Sequence, residues 1–380
     1  MKIKSSNNDI FIWSPMTSHV GTIMATLGMV KSINRFSKLN HKIYLLNVLG
    51  EFNNFHTAKD YYLINIFNRL KLPKTGLISK IAIYFFTFLS FPILLYLVKK
   101  YKPKVIVTCL VGYLPCLLKL FFKNLRIVNS IQGFPKLNNL RKFIWNKTYK
   151  KSDCLITMTN ITRNSLIKNL NLNENKVVKI DNPIISKKIR IMSFEKIDKE
   201  DLFIFEKKVF CAIGRLTRQK NYLELIKAFE NFSKKNSNNT NLIILGKGED
   251  EKILKNYITE KKINNCFMLG FKKNPYKYLS NSSLYISSSL WEEPGHTLIE
   301  AGYLNVPVLT SDCPNGPREL IIHNKNGFKY KMKNEEDLKY KLSEISKLSD
   351  KELFKVKLNM KKTISTFTEY QFSKKIKSYL

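Results

Sequence analysis

Short runs of β-branched and aromatic residues alternate with longer amphipathic stretches along this chain of 380 residues. In the first half, such runs predict strands at 9–13, 42–47, 62–66, 104–109, 126–131, 154–158 and 177–180. The alternation resumes later, with strands predicted at 209–213, 242–245, 266–269, 284–287 and 306–310. Strands that alternate with helices predict parallel sheets covered on both faces. The predicted fold class is therefore α/β, with two doubly wound parallel-sheet domains.

A polar, charged stretch at 186–207 interrupts this pattern and is the predicted linker. The length suits two domains of ordinary size, each with its own core. We expect a first domain at 1–190, a second at 191–367, and a terminal helix at 368–380 that packs back on the first domain. Ligands of open α/β folds bind at the carboxyl ends of the strands, so the cleft between the two sheets is the expected active site.

Residues 81–98, IAIYFFTFLSFPILLYLV, carry no charge, and Lys80, Lys99 and Lys100 flank them. The length and the flanks are typical of a membrane-spanning helix. The predicted strands on either side belong to one sheet, however, and one sheet does not lie on both sides of a membrane. We therefore expect a helix that is partly buried on the sheet, kinked at Pro92, and apolar toward an anionic bilayer surface. A wholly internal core helix is the alternative.

Charge and cysteine content narrow the partners and the compartment. The 65 Lys and Arg exceed the 29 Asp and Glu to give a net charge of +36, which attracts nucleic acid, acidic lipid or phosphorylated ligands alike. Bias from an AT-rich genome would produce the same lysine content. The sequence contains no basic stripe interleaved with aromatic residues of the kind that would indicate nucleic-acid binding.

Because the six cysteines are widely spaced and the N-terminus lacks a signal-peptide pattern, we expect reduced thiols in the cytoplasm.

The first candidate for chemistry is the segment that opens the second domain, KVFCAIGRLTRQKN. A predicted strand ends at Gly214, and Arg215 and Lys220 follow in the loop before a helix. Two cations at a strand end, beside a helix N-terminus, suit a diphosphate, because Arg binds two oxygens in a fork and Lys adds a point charge. Solvated surface charges are the alternative interpretation.

The next two strand ends carry glycines. LIILGKGED places Gly246 and Gly248 where they permit a tight turn and a close approach of backbone to ligand. Gly270 and Phe271 end the following strand, where a nucleobase has room to lie. An ordinary turn between strand and helix explains each of these residues equally well.

The third candidate is the segment 288–319, SSLWEEPGHTLIEAGYLNVPVLTSDCPNGPRE. Glu300 lies within an apolar helix pattern, and an interior carboxylate is costly unless something specific binds it. A buried structural ion pair is the alternative.

Pro294 and Gly295 predict the start of this helix, so the amides of Gly295, His296 and Thr297 would point at an anion. Glu292 precedes the turn. Seven residues separate Glu292 from Glu300, which lets one carboxylate reach sugar hydroxyls and the other reach ribose hydroxyls.

In this order, GRLTRQKN, LGKGE and EEPGHTLIEAGYLNVPVLTSDCPNGPREL resemble glycosyltransferase family 4, the retaining nucleotide-sugar enzymes of GT-B fold. That fold has two Rossmann-like domains that face each other across a cleft, an acceptor domain followed by a donor domain. The resemblance covers the second domain, and the first only by general pattern. SDCPNGPRE is similar to members that build bacterial capsule, O-antigen or lipid-linked oligosaccharide.

The resemblance implies that Arg215 and Lys220 hold the donor diphosphate, that Glu300 binds the ribose, and that Glu292 binds the donor sugar. Glu293 competes with Glu292, which alone keeps the family spacing. Arg318 is a candidate for a further phosphate or acceptor contact.

The first domain departs from the family. A single glycine, Gly21, stands in the loop PMTSHVGT, and Gln132 stands where a His is usual, so the acid/base role stays unassigned. His19 is a candidate on the acceptor side together with these two residues.

The predicted function is retaining transfer of a hexose or N-acetylhexosamine from a nucleotide sugar, with UDP as the expected nucleotide. The acceptor is a lipid-linked glycan, O-antigen, capsule or lipopolysaccharide. No Asp-x-Asp metal cluster follows a predicted strand, so we expect a metal-independent enzyme without a cofactor other than the donor. The expected location is the cytoplasmic face of the inner membrane, as a peripheral enzyme. The alternatives are a GT-B epimerase and a basic membrane- or nucleic-acid-binding protein without catalysis.

Overall fold

The computed structural model describes residues 8–17, 21–37, 41–53, 61–67, 76–135, 137–235 and 239–380. The chain divides into two compact units. The first comprises Met1–Ile184 together with Phe367–Leu380, and the second comprises Ile185–Thr366. The terminal helix therefore belongs to the first unit.

The first unit contains a parallel sheet of seven strands in the order β3-β2-β1-β4-β5-β6-β7. Its strands are β1 (Ile10–Trp13), β2 (Ile43–Asn47), β3 (Tyr62–Asn65), β4 (Val105–Thr108), β5 (Arg126–Ile131), β6 (Cys154–Thr157) and β7 (Val177–Lys179). Its helices are α1 (Gly21–Phe36), α2 (Gly76–Leu89), α3 (Phe91–Tyr101), α4 (Tyr113–Cys116), α5 (Asn139–Tyr149), α6 (Asn160–Leu170) and the terminal α15 (Glu369–Ile376).

Side chains of the central strands point alternately to the two faces of this sheet, as the period of a strand requires. Phe11 and Trp13 of β1 pack in the core beneath α3, whereas Ile10 and Ile12 pack on the opposite face. Helices α1 and α15 cover that opposite face, and Glu369 of α15 forms ion pairs with two basic residues of α1. These contacts hold the end of the chain on the first unit.

The apolar segment 81–98 forms two helices instead of the single helix predicted with a kink at Pro92. The chain breaks at Ser90, where the two helices bend by 45°. Pro92 lies in the first turn of α3, where its missing N–H breaks no intrahelical hydrogen bond. No single helix within the described residues is long and apolar enough to cross a membrane, although the bent pair qualifies by length and composition alone.

The second unit contains a parallel sheet of six strands in the order β10-β9-β8-β11-β12-β13. Its strands are β8 (Lys208–Ile213), β9 (Thr240–Leu245), β10 (Cys266–Gly270), β11 (Leu284–Ser287), β12 (Val308–Ser311) and β13 (Phe328–Tyr330). Its helices are α7 (Lys187–Ser193), α8 (Tyr222–Lys235), α9 (Glu251–Glu260), α10 (Tyr276–Ser280), α11 (His296–Tyr303), α12 (Gly316–Leu320), α13 (Glu335–Ser346) and α14 (Asp350–Ile364). The pattern of the sequence did not predict β13, whose three residues are too few to show a period.

The stretch 186–207 is not an extended linker. It forms α7 and a 3₁₀ helix, Lys199–Glu206, and both belong to the second unit. Asp198 and Asp201 accept hydrogen bonds from Lys272 and Tyr278, and Asn274 donates to the carbonyl of Met192. The charged residues that suggested a solvated linker are thus partners in local contacts. The predicted boundary after 190 falls inside α7.

Candidate active site

The loops that follow β8 and β11 lie side by side at the carboxyl edge of the second sheet. The amide of Leu290 donates to the carbonyl of Gln219 at 2.8 Å, and the Gln219 side chain donates to the carbonyl of Trp291 at 2.8 Å. The Ser288 hydroxyl donates to the carbonyl of Lys220 at 2.7 Å. The backbone therefore fixes the positions of Lys220 and of the residues just before Glu292.

Lys220 and Glu292 form a direct ion pair in this edge. The carboxylate of Glu292 also accepts a hydrogen bond from the Ser289 hydroxyl at 2.9 Å. The two paired side chains are only 18% and 12% exposed, respectively, so little solvent screens their charges. Of the two adjacent glutamates, the structure places Glu292 against the lysine.

Gly214 makes room for this lysine. A Cβ atom at position 214 would lie 2.8 Å from Cε of Lys220 and 2.8 Å from the hydroxyl of Tyr222. Because a real Cβ does not approach other atoms so closely, a larger residue there would displace the Lys220 side chain. Glycine at the end of β8 thus determines the path of Lys220 toward Glu292.

His296 begins helix α11 beside this pair. The pKa of His296 is lowered to about 4, chiefly by burial; the charge of Glu292 opposes this shift, and that of Lys220 contributes to it. The imidazole is therefore neutral at physiological pH. Gly295 precedes it as the N-cap residue of the helix, with φ of 97°, a conformation that favours glycine. Thr297, the next residue, hydrogen-bonds Tyr285 of β11.

Glu300 lies one helical turn further along α11 and has a specific partner. The Tyr276 hydroxyl, at the start of α10, donates to Oε1 of Glu300 at 3.0 Å. Although part of Glu300 reaches solvent, desolvation raises the pKa of its carboxyl group to about 7, and the bond from Tyr276 opposes this rise. Glu300 is thus held in place and titrates near neutrality.

The remaining donor-side candidates lie on neighbouring strand ends. Arg215 is exposed and follows Gly214 directly after β8. Gly270 ends β10 with φ of 67°, and the Phe271 side chain after it is exposed. Because the carboxyl ends of parallel strands meet at one edge of a sheet, these three residues lie at the same edge as Lys220, at the ends of strands β8 and β10 in the order β10-β9-β8.

Gly246 and Gly248 serve a packing role. A Cβ at 246 would meet the carbonyl oxygen of Gly214 at 1.9 Å, and one at 248 would meet that of Leu216 at 2.2 Å. At both positions the lack of a side chain lets the loop after β9 approach the backbone that follows β8. The two loops therefore pack closely against each other at the same edge of the sheet.

Two further charged groups contact protein partners. Arg318 pairs with the carboxylate of Asp312 at 2.8 Å on the surface of α12. Asp198, Glu200 and Asp201 lie close enough to one another to share a metal ion. The ammonium groups of Lys272 and Lys277 and the Tyr278 hydroxyl bond Asp198 strongly and hold the pKa of that carboxyl well below its usual range. The two lysines thus pair with two of the three carboxylates, Asp198 and Asp201.

In the first unit, Gln132 follows β5 as part of an amide pair. Asn182 donates to the Gln132 carbonyl oxygen at 2.8 Å, and the Gln132 amide donates to the Ser130 hydroxyl at 2.6 Å. Gly21 is the exposed first residue of α1. His19, the other predicted residue on this side, lies outside the described residues.

Sequence reasoning missed Tyr276 and Ser289, the partners of the two glutamates. The Asn-Pro that precedes Tyr276 signals a helix start, which the structure has at α10. Nothing local to Tyr276 shows that its hydroxyl reaches a residue on α11. Ser289 was one of three consecutive serines, and no pattern distinguished it.

Two parallel-sheet units of this topology define the GT-B fold class. The structure of Anabaena HepE in complex with UDP covers 98% of this chain at a TM-score of 0.78, with 14% sequence identity, and 98% of that chain is covered. Residues 193–362 match the model of the family described as "Glycosyl transferases group 1". This region of the chain is therefore similar to that family of glycosyltransferases, as the motif resemblance implied.

Two relatives extend the similarity along the chain. An uncharacterized glycosyltransferase of Methanocaldococcus jannaschii is 32% identical over 246 residues, which are 60% of each chain. A Campylobacter jejuni enzyme is 27% identical over 264 residues, 66% of this chain and 68% of its own. Its name is N-acetylgalactosamine-N,N'-diacetylbacillosaminyl-diphospho-undecaprenol 4-alpha-N-acetylgalactosaminyltransferase. The chain thus spans about three fifths of the length of the archaeal relative.

Proposed function

We propose that this protein transfers a sugar from a nucleoside diphosphate sugar to a lipid-linked glycan acceptor. The observation that carries the proposal is the set of Lys220, Glu292 and Glu300 at the carboxyl edge of the second sheet, each held by named partners. The family match over 193–362 covers this set, and the C. jejuni relative is named for a diphospho-undecaprenol acceptor.

The proposed roles of the residues on the donor side follow from their charges. Breaking the bond between the anomeric carbon and phosphate builds positive charge on the sugar and negative charge on the leaving diphosphate. Arg215 and Lys220 stabilise that negative charge, and the amides at the start of α11 add to it. For Lys220 this requires a change of partner, from Glu292 to phosphate, which frees the Glu292 carboxylate to accept hydrogen bonds from sugar hydroxyls.

Glu300 binds the ribose in this proposal. The carboxylate accepts hydrogen bonds from the two hydroxyls, and Tyr276 keeps it in the orientation that they require. Phe271, exposed after β10, is the candidate to contact the base. UDP is the proposed nucleotide, and the likeness to a GT-B structure that holds UDP supports it. A hexose or an N-acetylhexosamine is the proposed sugar.

We propose retention of the anomeric configuration without a metal ion. The leaving phosphate takes the proton of the acceptor hydroxyl, so no protein base is needed. The presence of Gln132, which does not titrate, in place of a histidine is compatible with this mechanism. The two cations supply the charge stabilisation that a divalent metal gives in other transferases. Turnover that persists in excess chelator would support this, and turnover that returns only with added Mg²⁺ or Mn²⁺ would contradict it.

The proposed location is the cytoplasmic face of the inner membrane. Helix α2 exposes Ile81, Tyr84, Phe85 and Phe88, and the last turn of α3 adds exposed Lys99 and Lys100. Apolar side chains beside lysines suit the interface of an anionic bilayer. We expect binding to phosphatidylglycerol vesicles that high salt weakens, whereas retention in membranes after carbonate extraction would contradict a peripheral location.

The experiment that tests the proposed function is a panel of nucleotide sugars, incubated with and without membrane lipid extract, with release of nucleoside diphosphate as the measurement. We expect release that rises with the extract and that falls when Lys220 or Glu300 is replaced. A net charge of +36 makes a non-catalytic nucleic-acid-binding protein the second candidate. DNA binding that survives moderate salt, with no turnover of any donor, would favour that candidate.

A further inference from the structure

The first unit contains a cavity of about 700 Å³ beside the carboxyl edge of its sheet. Residues of α2, α5 and the segments after β1, β4 and β5 line it. Its volume falls within the range of about 300–1,000 Å³ that small-molecule sites usually have. The cavity therefore has room for a ligand, and its lining indicates which kind.

The two ends of the cavity differ in chemistry. Thr108, Ser130 and Gln132 line it where strands β4 and β5 end, and they offer hydroxyl and amide groups. Ile83 of α2 and Ile144 of α5 line the part between the helices, together with aromatic side chains. A polar end that continues into an apolar end matches an amphiphile better than a free sugar.

Arg141 is the one charged residue in this lining, within the part of the chain that the structure describes. Its guanidinium lies 5.8 Å from the ring centre of Trp145, which also lines the cavity. A guanidinium carries several N–H donors in a planar fork, an arrangement that suits a phosphate. No carboxylate lies in the described lining to repel an anion.

The apolar end opens at an apolar rim. Tyr84 and Leu140 line the cavity and are 50% and 68% exposed. Phe88 on α2 and Phe143 on α5 are also exposed but lie outside the lining. Exposed apolar side chains at the mouth of a cavity suit contact with another apolar body. A cavity for a water-soluble sugar would have a polar rim, so the rim favours a hydrocarbon chain.

We propose that this cavity binds the hydrocarbon chain of a lipid phosphate acceptor, with Arg141 contacting the phosphate. The proposal deepens the proposed function and rests on it, because it specifies how the acceptor of that transfer is held. The chain enters over Tyr84 and Leu140 and lies between α2 and α5. The phosphate and the glycan then lie toward Gln132 and the ends of β4 and β5.

The direct test measures binding of dodecyl phosphate to the full chain by titration calorimetry, below the concentration at which the probe forms micelles. Dodecyl maltoside, with the same chain and no charge, and inorganic phosphate, with no chain, are the comparison probes. We expect dodecyl phosphate to bind about tenfold more tightly than dodecyl maltoside, the effect of one charge-assisted contact, and inorganic phosphate not to bind. Equal binding of dodecyl phosphate and inorganic phosphate would overturn the proposal.

Two variants of helix α5 locate the site. Ile144→Trp fills the space between the helices, so we expect dodecyl phosphate to bind at least about tenfold more weakly, because the apolar end is lost. Phe143→Trp adds the same ring one residue earlier, at a side chain that is exposed and outside the lining, and should leave binding unchanged. Equal binding by the two variants would place the probe outside the cavity. Arg141→Gln is a third variant of this helix, which removes the charge without filling space and should abolish the preference for phosphate over maltoside.

Two controls distinguish binding in the cavity from binding to a membrane surface and from the proposed function of the second unit. Phe88→Ser removes exposed apolar surface outside the cavity, so it should weaken vesicle binding and leave dodecyl phosphate binding unchanged. UDP binding and donor hydrolysis report on the second unit. If both persist while dodecyl phosphate fails to bind the wild-type chain, the cavity proposal is wrong and the proposed function stands. If UDP does not bind either, the proposed function itself fails.

Discussion

The two units share an architecture and differ in what they place at the carboxyl edge of the sheet. In the first unit the loop after β5 carries uncharged groups: the Gln132 amide donates to the Ser130 hydroxyl at 2.6 Å, and Gln132 pairs with Asn182. In the second unit the corresponding edge carries a lysine paired with one glutamate and a second glutamate bonded to a tyrosine. Two sheets of the same architecture therefore place different loop residues at this edge, and those residues determine the chemistry.

The same contrast appears in the response to pH. The amides of the first edge do not titrate. Burial raises the pKa of Glu300 to about 7 and lowers that of His296 to about 4 in the second edge. Binding that depends on the Gln132–Asn182 pair should therefore be insensitive to pH near neutrality, whereas binding that depends on Glu300 should not be. Four predictions test this comparison.

The largest effect is expected for Lys220→Ala. The variant removes the most buried cation available to the leaving diphosphate, and loss of one such group typically lowers kcat by about 10²–10³-fold. The measurement is the rate of UDP release from the best donor of the panel. Lys255→Ala is the matched control, because it removes a lysine from an exposed ion pair with Glu251 on α9. Similar rates for the two variants would show that Lys220 does not act on the diphosphate.

The next effect distinguishes the two adjacent glutamates. Glu292→Gln keeps the shape of the side chain but removes the charge paired with Lys220, and we expect kcat to fall by roughly 10²-fold, the typical effect of removing one catalytic group. Glu293→Gln makes the same change one residue later and should leave kcat within a few-fold of wild type. A larger loss in Glu293→Gln would reverse the assignment.

A smaller effect concerns Glu300 and the pH dependence of UDP binding. Ribose hydroxyls donate to an ionised carboxylate, so UDP affinity should rise as the pH increases through about 7 and level off above it. Glu300→Gln should bind UDP about tenfold more weakly and without this dependence, because its amide does not titrate.

Tyr276→Phe sharpens the same experiment. The hydrogen bond from Tyr276 lowers the pKa of Glu300, so its loss should move the midpoint of the UDP binding curve to higher pH. Calorimetric titration of UDP across the pH range measures both effects. A midpoint that stays in place in Tyr276→Phe, or one that persists in Glu300→Gln, would assign the dependence to another group.

The smallest effect on turnover is expected in the first unit. Gln132→Ala leaves the buried Asn182 amide without its acceptor, so the free energy of unfolding should fall by about 1–3 kcal/mol. Turnover should fall only a few-fold, because Gln132 is not a proton carrier. Urea denaturation of Gln132→Ala, Asn182→Ala and the double variant measures the coupling between the two amides. Additive losses would mean that the pair does not contribute as a unit.

Much of the fold was predictable because strands and helices leave short-range patterns. The alternation of strand-like and amphipathic segments predicted an α/β fold of two parallel sheets, which the structure confirms. The break at Ser90 and the folding of 186–207 were not predictable from that pattern. The first depends on how α2 and α3 pack, and the second on Lys272, Lys277 and Tyr278, which hydrogen-bond Asp198 and Asp201.

The fold class, the resemblance of the second unit to a glycosyltransferase family, and the spacing of Glu292 and Glu300 were all evident from the sequence, because each depends on residues that lie close together in the chain. The contact between Glu292 and Lys220, 72 positions apart, was visible only in the folded structure. The tertiary structure also decided that Tyr276 holds Glu300, that two glycine loops pack on each other, and that α2 and α5 line a cavity. The physical reason is that pairs distant in the chain are set by the packing of whole elements, and no local pattern records that packing.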